Sequence, residues 1–368
     1  MTAVEVAIVG GGAVGAACAR AAALRGLEVA IFEPGPVPAA ASPASAGMLA
    51  AQIEPGDDEL VSLSVRARDL YEPLDPALRD TTGIDIGFWR TGIVSVAFDE
   101  AAVHRLKEDV ARQRQAGLRC DWLDAAEIGE RWPGAAPECV GALFAPEDGA
   151  LDPEALTRAC LADARRLGAT LHVERVEGLA ITGERLAGVV TPRGTTPVEH
   201  AVVAAGVWSP HIRGLPRPLP IEPVRGQMAA TAWPDGTPPV ILYQDHGYVL
   251  ARGGEALLGS TMERAGYDAH VTNEGLAQIF RGAVRLLPAL RTQPVQRMWA
   301  GLRPATPDGR PILGRDPAVE RLWYAAGHGR NGILLAALTG EIIADLLTAG
   351  ETDVDLAPFG IARFAPAT

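Results

Sequence analysis

Residues 4–33, VEVAIVGGGAVGAACARAAALRGLEVAIFE, constrain the fold more than any other stretch of this chain. Val4–Val9 reads as a buried parallel strand, Ala13–Arg25 as an alanine-rich helix stopped by Gly26, and Glu28–Phe32 as a second strand that delivers Glu33. Between the two β-branched runs stand Gly10, Gly12 and Gly15. Glycines at this spacing permit a tight turn and let backbone N–H groups at a helix N-terminus approach a pyrophosphate. Glu33 falls where a carboxylate can accept from an adenosine ribose, and an acid there disfavours the 2′-phosphate of NADP. In a chain with 41 glycines a lone GxGxxG is weak, and the complete strand–turn–helix–strand–acid unit is what carries the inference. It specifies a dinucleotide and leaves NAD and FAD both open.

The next stretch, AAASPASAGMLA (39–50), is a run of small residues. It has the composition of a flexible connector, yet it follows the ribose-binding acid directly, where a dinucleotide's diphosphate must pass. Small side chains permit close backbone approach, Ser42 and Ser45 add hydroxyl donors, and Met48 is bulky enough to line a ring system or a substrate. Further on, Gly92–Phe98 reads as a strand, Ala101–Gln115 as a charged helix, and Asp152 to Leu167 as a capped helix ended by Gly168. Val176 lies at the exit of the strand that follows. HAVVAAGVWSP (200–210) is an apolar strand ending at Gly206, a return to the nucleotide-binding sheet.

From Leu219 the pattern alternates as in antiparallel strands. HGYVLARGGEALLGST is a hairpin turning at Gly253-Gly254, with Tyr248, Leu250 and Arg252 on one face. YAAGHGRNGILLAALTGEIIADLL (324–347) is a strand end, a glycine-rich turn and a core helix with Leu335, Leu338, Ile342 and Leu346 on one side. The turn holds His328, Arg330 and Asn331 among three glycines at a helix N-terminus. Its partial positive charge suits the anion formed at the N1–C2=O edge of a reduced flavin. A nicotinamide has no such need, so this turn favours FAD.

The net charge of −12 argues against nucleic acid or an anionic membrane as partner. Four cysteines without metal-ligand spacing fit a reducing compartment and no metal site. No basic n-region with an apolar segment behind it opens the chain, and no uninterrupted apolar stretch approaches a membrane span. A cytoplasmic protein is therefore expected.

Five motifs, GGGAVG with Glu33, SAGMLA, AAGVWS, WAGLRPATPDGRPILG and AAGHGRNGILLA, occur in the order seen in the glycine oxidases of the D-amino-acid-oxidase flavoprotein superfamily. The resemblance covers essentially the whole chain. It implies an α/β fold in which a Rossmann-like FAD-binding domain (1–85, 146–218 and 300–368) interleaves with an antiparallel-sheet, α+β substrate domain (86–145 and 219–299). It also implies non-covalent FAD and oxidation of glycine and related small amines or D-amino acids to the imine or oxo acid, with ammonia and hydrogen peroxide. Relatives of this kind often supply glycine imine for the thiazole of thiamine, and they tend to be tetrameric. Same-fold alternatives are a D-amino-acid, D-proline or sarcosine oxidase, or a dehydrogenase with another electron acceptor. Two readings of other classes are an FAD-binding protein without turnover and an NAD-dependent dehydrogenase.

Carried over position by position, Arg303 matches the arginine that grips the substrate carboxylate, Tyr248 the tyrosine beside it, and Arg330 a second basic residue over the pocket. His246, Met48, Ala50 and Met262 match the pocket lining. Besides Gly10, Gly12 and Gly15, the FAD matches are Ala13, Val14, Glu33, Pro34, Ala41, Ser42, Ala46, Gly47, Met48 and Val176. His328, Gly329, Arg330, Asn331, Gly332, Ile333 and Leu334 complete them. Ala41 stands where those oxidases carry a hydroxyl residue, and Gly329 replaces a bulkier one, which widens the expected pocket. RPATPDG holds no cysteine, so the flavin linkage of the related sarcosine oxidases has no attachment point there. A guanidinium pairs with a carboxylate in bidentate fashion, fixing both position and rotation of an amino acid. Positioning then supplies most of the catalysis, with no obligatory protein base if the amine binds neutral.

Overall fold

The computed structural model describes residues 4–37, 40–53, 56–245 and 247–364. Two eight-stranded sheets organise it. In the first, the strands run in the order Ile312–Arg315, Leu322–Ala326, Gly194–Val203, Val4–Val9, Val29–Phe32 and Thr170–His172. All neighbours on this path are parallel except the antiparallel edge strand Ile312–Arg315. Gly178–Thr182 and Arg185–Thr191 extend the first half of Gly194–Val203 as an antiparallel ribbon. Val4–Val9 lies between Val29–Phe32 and the much later Gly194–Val203. Connections leave it in opposite directions, and a crevice opens at its carboxyl end.

Helix Ala13–Leu24 covers this sheet. Its face is almost entirely alanine, so neighbours approach closely: a Cβ at Gly340 would stand 2.7 Å from the Ala17 carbonyl oxygen, and one at Gly15 only 2.0 Å from that of Gly10. Gly340 belongs to the C-terminal helix Gly332–Ala349. Segment Gly329–Ala349 is long and apolar enough for a membrane span by composition, contrary to the expectation that no stretch comes close. Sixty-one per cent of its most apolar window is buried inside the protein, because it packs as a core helix against Ala13–Leu24.

The second sheet runs Val295–Ala305, Glu222–Ala232, Glu255–Gly259, Gly247–Arg252, Ile241–Gln244, Ile93–Ala97, Gly141–Ala145 and Asp121–Asp124. It is antiparallel except where Ile241–Gln244 lies beside Ile93–Ala97. Helices Glu100–Gln115 and Asn273–Leu286 cover it. The hairpin turns at Gly253 and Gly254, both at positive φ, as the dipeptide foretold. Helix Pro153–Arg166 starts at its Asp152 cap, whose carboxylate accepts from the N–H groups of Glu154 and Ala155.

The expected α/β class with a second antiparallel sheet is therefore present, with two local corrections. The apolar strand expected to end at Gly206 stops at Val203, because Gly206 at φ +54° opens a 3-10 turn to His211. The domain division expected at 299/300 falls inside strand Val295–Ala305, which pairs along its length with Glu222–Ala232.

Candidate functional site: one cavity between the sheets

The carboxyl ends of Val4–Val9 and Val29–Phe32, the turn before the C-terminal helix and one face of the second sheet enclose an elongated cavity of about 830 Å3. A volume of that order is in the range of ligand sites. At one end lies the glycine turn. Gly10, at φ +113°, leaves no room for a Cβ, which would stand 2.5 Å from the Ala204 carbonyl oxygen. Glu33 is held by backbone: its Oε2 accepts from the Gly11 N–H at 2.8 Å and its Oε1 from that of Gly35 at 3.3 Å. Ser42, on the short helix Ala41–Ala44, reaches the N-terminus of helix Ala13–Leu24, where its Oγ accepts from the Ala13 N–H at 2.9 Å. Ser45 Oγ likewise accepts from Gly47 N–H. Both hydroxyls accept from backbone here, and each keeps its O–H to donate, as the sequence suggested.

At the other end the cavity meets the second sheet. Arg303 projects from strand Val295–Ala305; its Nη1 donates to the Thr261 carbonyl at 3.1 Å and its Nη2 to Ser260 Oγ at 2.8 Å. Tyr248 lines the same space, its hydroxyl 3.0 Å from Met228 Sδ. Arg330 comes from the opposite lobe and donates to the Tyr243 hydroxyl at 3.2 Å. His328, buried at the same turn, places Nε2 3.0 Å from Thr339 Oγ1, and burial lowers its pKa to about 3. It is therefore neutral at physiological pH, so positive charge at this turn comes from Arg330 and the helix N-terminus.

Of the residues singled out from sequence, Gly10, Gly12, Ala13, Val14, Glu33, Pro34, Ala41, Ser42, Ala46, Gly47, Met48 and Ala50 line this cavity. So do Val176, Tyr248, Arg303, His328, Gly329, Arg330, Asn331, Gly332 and Ile333. Gly15 and Leu334 are not part of the lining: Gly15 packs on the Gly10 carbonyl, and Leu334 points into the core. Met262 is off the cavity and 46% exposed. The residue of this segment that lines the cavity is Ser260, while Thr261 is buried beside it with its Oγ1 accepting from Gln227 N–H. His246 lies outside the described residues. Sequence reasoning missed Gly226, Met228, Ser260 and His211, which also line the space; the first three come in on or next to paired strands and His211 at the end of the 3-10 turn Gly206–His211, and such placement leaves no local signal.

The donor set fits FAD. Two helix N-termini face one elongated space, the turn at one of them admits no side chain at Gly10, and an acid is fixed at the ribose position. Among the described residues no group of three or more His, Cys, Asp or Glu could hold a metal ion.

The chain matches the model of the FAD dependent oxidoreductase family DAO over residues 5–346. It is 36% identical to the bifunctional protein ThiO/ThiG of Trichormus variabilis over 98% of this chain and 55% of that protein, so it spans about half of that relative's length. It is also 36% identical to the glycine oxidase of Geobacillus kaustophilus, covering 98% of this chain and 97% of that one. The crystal structure of glycine oxidase from the same species superposes with a TM-score of 0.93 at 35% identity, covering 98% of each chain. L-proline dehydrogenase from P. horikoshii is similar at a TM-score of 0.89 and 26% identity, over 97% of this chain and 96% of that one.

Proposed function

The chain belongs to the DAO family of FAD dependent oxidoreductases, and from that premise we propose that it oxidises glycine and other small amino acids to the imine, with oxygen as acceptor. The observation that carries this reading is Arg303, braced at the cavity wall by Thr261 and Ser260 and facing the space shared with Tyr248 and Arg330. A guanidinium so placed binds a carboxylate in two parallel bonds and fixes the rotation of the amino acid. Tyr248 borders that carboxylate, and Arg330, tethered to Tyr243, adds positive charge from the other lobe. FAD, when bound, would supply the hydride acceptor and the route by which the electrons reach oxygen to give hydrogen peroxide. Glu33 would hold its ribose, the Gly10–Val14 turn its diphosphate, and the His328–Ile333 turn would face the flavin.

The decisive experiment adds glycine anaerobically to the yellow holoenzyme. Bleaching of the visible absorption, reversed with peroxide formation on readmitting air, supports the assignment; a flavin that ignores glycine refutes it. One feature favours a bulkier amine: Gly329, which lines the cavity next to Arg330, carries no side chain. Sarcosine, D-alanine and D-proline compared with glycine by kcat/KM test that second reading. The likeness to a ThiO/ThiG protein supports a role in supplying imine for thiazole formation. Four buried, free cysteines suit a cytoplasmic protein, and the tetramer implied by the family resemblance is open to light scattering.

A further inference from the structure

Arg303 occupies a seat made by the neighbouring strand. Gly301, two residues before it, pairs with Gly226 on strand Glu222–Ala232. A Cβ at Gly226 would stand 2.1 Å from Arg303 Nη1, 2.4 Å from Cζ and 2.4 Å from Nη2. A side chain fits there only if the guanidinium shifts, and here the guanidinium lies on the bare backbone of residue 226. Its edge is held by the Thr261 carbonyl and Ser260 Oγ. These two residues are tied back to the same strand. Gln227 N–H donates to Thr261 Oγ1 at 2.9 Å, and Arg225 and Glu263 exchange backbone hydrogen bonds of 2.8 and 3.0 Å. Gln227 Nε2 adds a bond of 2.7 Å to Glu263 Oε1.

A long flexible side chain loses rotamer freedom when it clamps a ligand, and a site that has already ordered it binds more tightly. We propose that Gly226 and Ser260 are positioning residues for the substrate carboxylate, acting through Arg303: Gly226 sets how far the guanidinium projects into the cavity, and Ser260 fixes its edge. The proposal rests on the reading of Arg303 as the carboxylate grip. A methyl group at 226 pushes the guanidinium off its seat, while loss of the Ser260 hydroxyl frees one edge only.

The test titrates holoenzyme variants with acetate, a carboxylate that cannot be oxidised as an amine, following the visible flavin spectrum, and measures KM and kcat for glycine separately. In Gly226→Ala the acetate Kd and the glycine KM rise about tenfold or more, while kcat at saturation stays within about threefold. Ser260→Ala weakens acetate roughly three- to tenfold, and Ser260→Thr, which keeps the hydroxyl, recovers most of it. Unchanged acetate affinity in both Gly226→Ala and Ser260→Ala, or a fall in kcat at constant KM, overturns the proposal. If Gly226→Ala melts early and yields no folded protein, the Ser260→Ala and Ser260→Thr pair decides on the same criteria. A wild-type protein that binds acetate but is not reduced by glycine refutes the glycine assignment alone. One that binds no acetate removes the carboxylate grip and this proposal with it.

Discussion

Arg303 and His328 occupy the same cavity with opposite electrostatic assignments, and each makes a separate measurement. Arg303 offers charged hydrogen bonds worth about 1.5–3 kcal/mol each to a carboxylate. Arg303→Met is expected to lower kcat/KM for glycine at least ten- to a hundredfold. Tyr248→Phe should cost less, since the guanidinium remains, and a Tyr248→Phe loss exceeding that of Arg303→Met would reverse the two roles. His328 is held neutral: burial lowers its pKa from 6.5 to about 3. Between those values the unfolded chain takes up a proton that the folded protein refuses. Stability from this residue is thus complete above pH 6.5 and is lost as pH falls toward 3, at about 1.4 kcal/mol per pH unit. Urea midpoints at pH 7 and pH 5 should therefore differ more in the wild-type protein than in His328→Gln; equal differences would place the acid sensitivity elsewhere.

At the scale of elements, the close crossing of helices Ala13–Leu24 and Gly332–Ala349 sets two physical effects against each other. Alanine is a better helix former than glycine by about 1 kcal/mol. At position 340, however, the new Cβ would lie 2.7 Å from the Ala17 carbonyl oxygen and 2.8 Å from its carbon. Those are backbone atoms of a packed helix, and overpacking of this kind costs about 1–3 kcal/mol. The clash outweighs propensity, so Gly340→Ala is expected to lower the urea midpoint; a raised midpoint would mean that the helices separate at little cost. Loss of close approach here would also move the turn before residue 332, which lines the cavity. A second brace sits behind the Met48–Ala50 lining. Arg68, Asp148 and Gln52 form a buried network, with Arg68 Nη1 3.0 Å from Asp148 Oδ1 and 2.7 Å from Gln52 Oε1.

Across the whole molecule, the cavity is assembled from segments scattered between Val9 and Ile333. A ligand that fills it touches both sheets at once and binds the folded chain alone, so it stabilises the fold by mass action. FAD at a hundredfold over its Kd adds about 2.7 kcal/mol. The melting temperature of apoprotein should accordingly rise with added FAD and level off at the holoenzyme value. A Tm indifferent to FAD would contradict the donor set at Gly10, Glu33 and the 328–333 turn.

The dinucleotide turn, the Asp152-capped helix and the Gly253-Gly254 hairpin were legible because each is written in neighbouring residues: period, cap and turn chemistry act over a few positions. The acid at Glu33 and the glycines before helix Ala13–Leu24 likewise imply a phosphate-binding crevice without any knowledge of packing. The family resemblance then pointed to Arg303, Tyr248 and Arg330, but not to what holds them. That Ser260 lines the cavity while Met262 is exposed, that Gly15 and Leu334 serve the packing behind the lining, and that strand Val295–Ala305 belongs wholly to the second sheet are set by partners far away in the chain. Gly226 has nothing in its own surroundings to mark it; its importance exists only because Gly301 pairs with it and Arg303 folds across. Local geometry follows from local sequence, whereas the direction a side chain faces depends on which distant strand or helix arrives beside it.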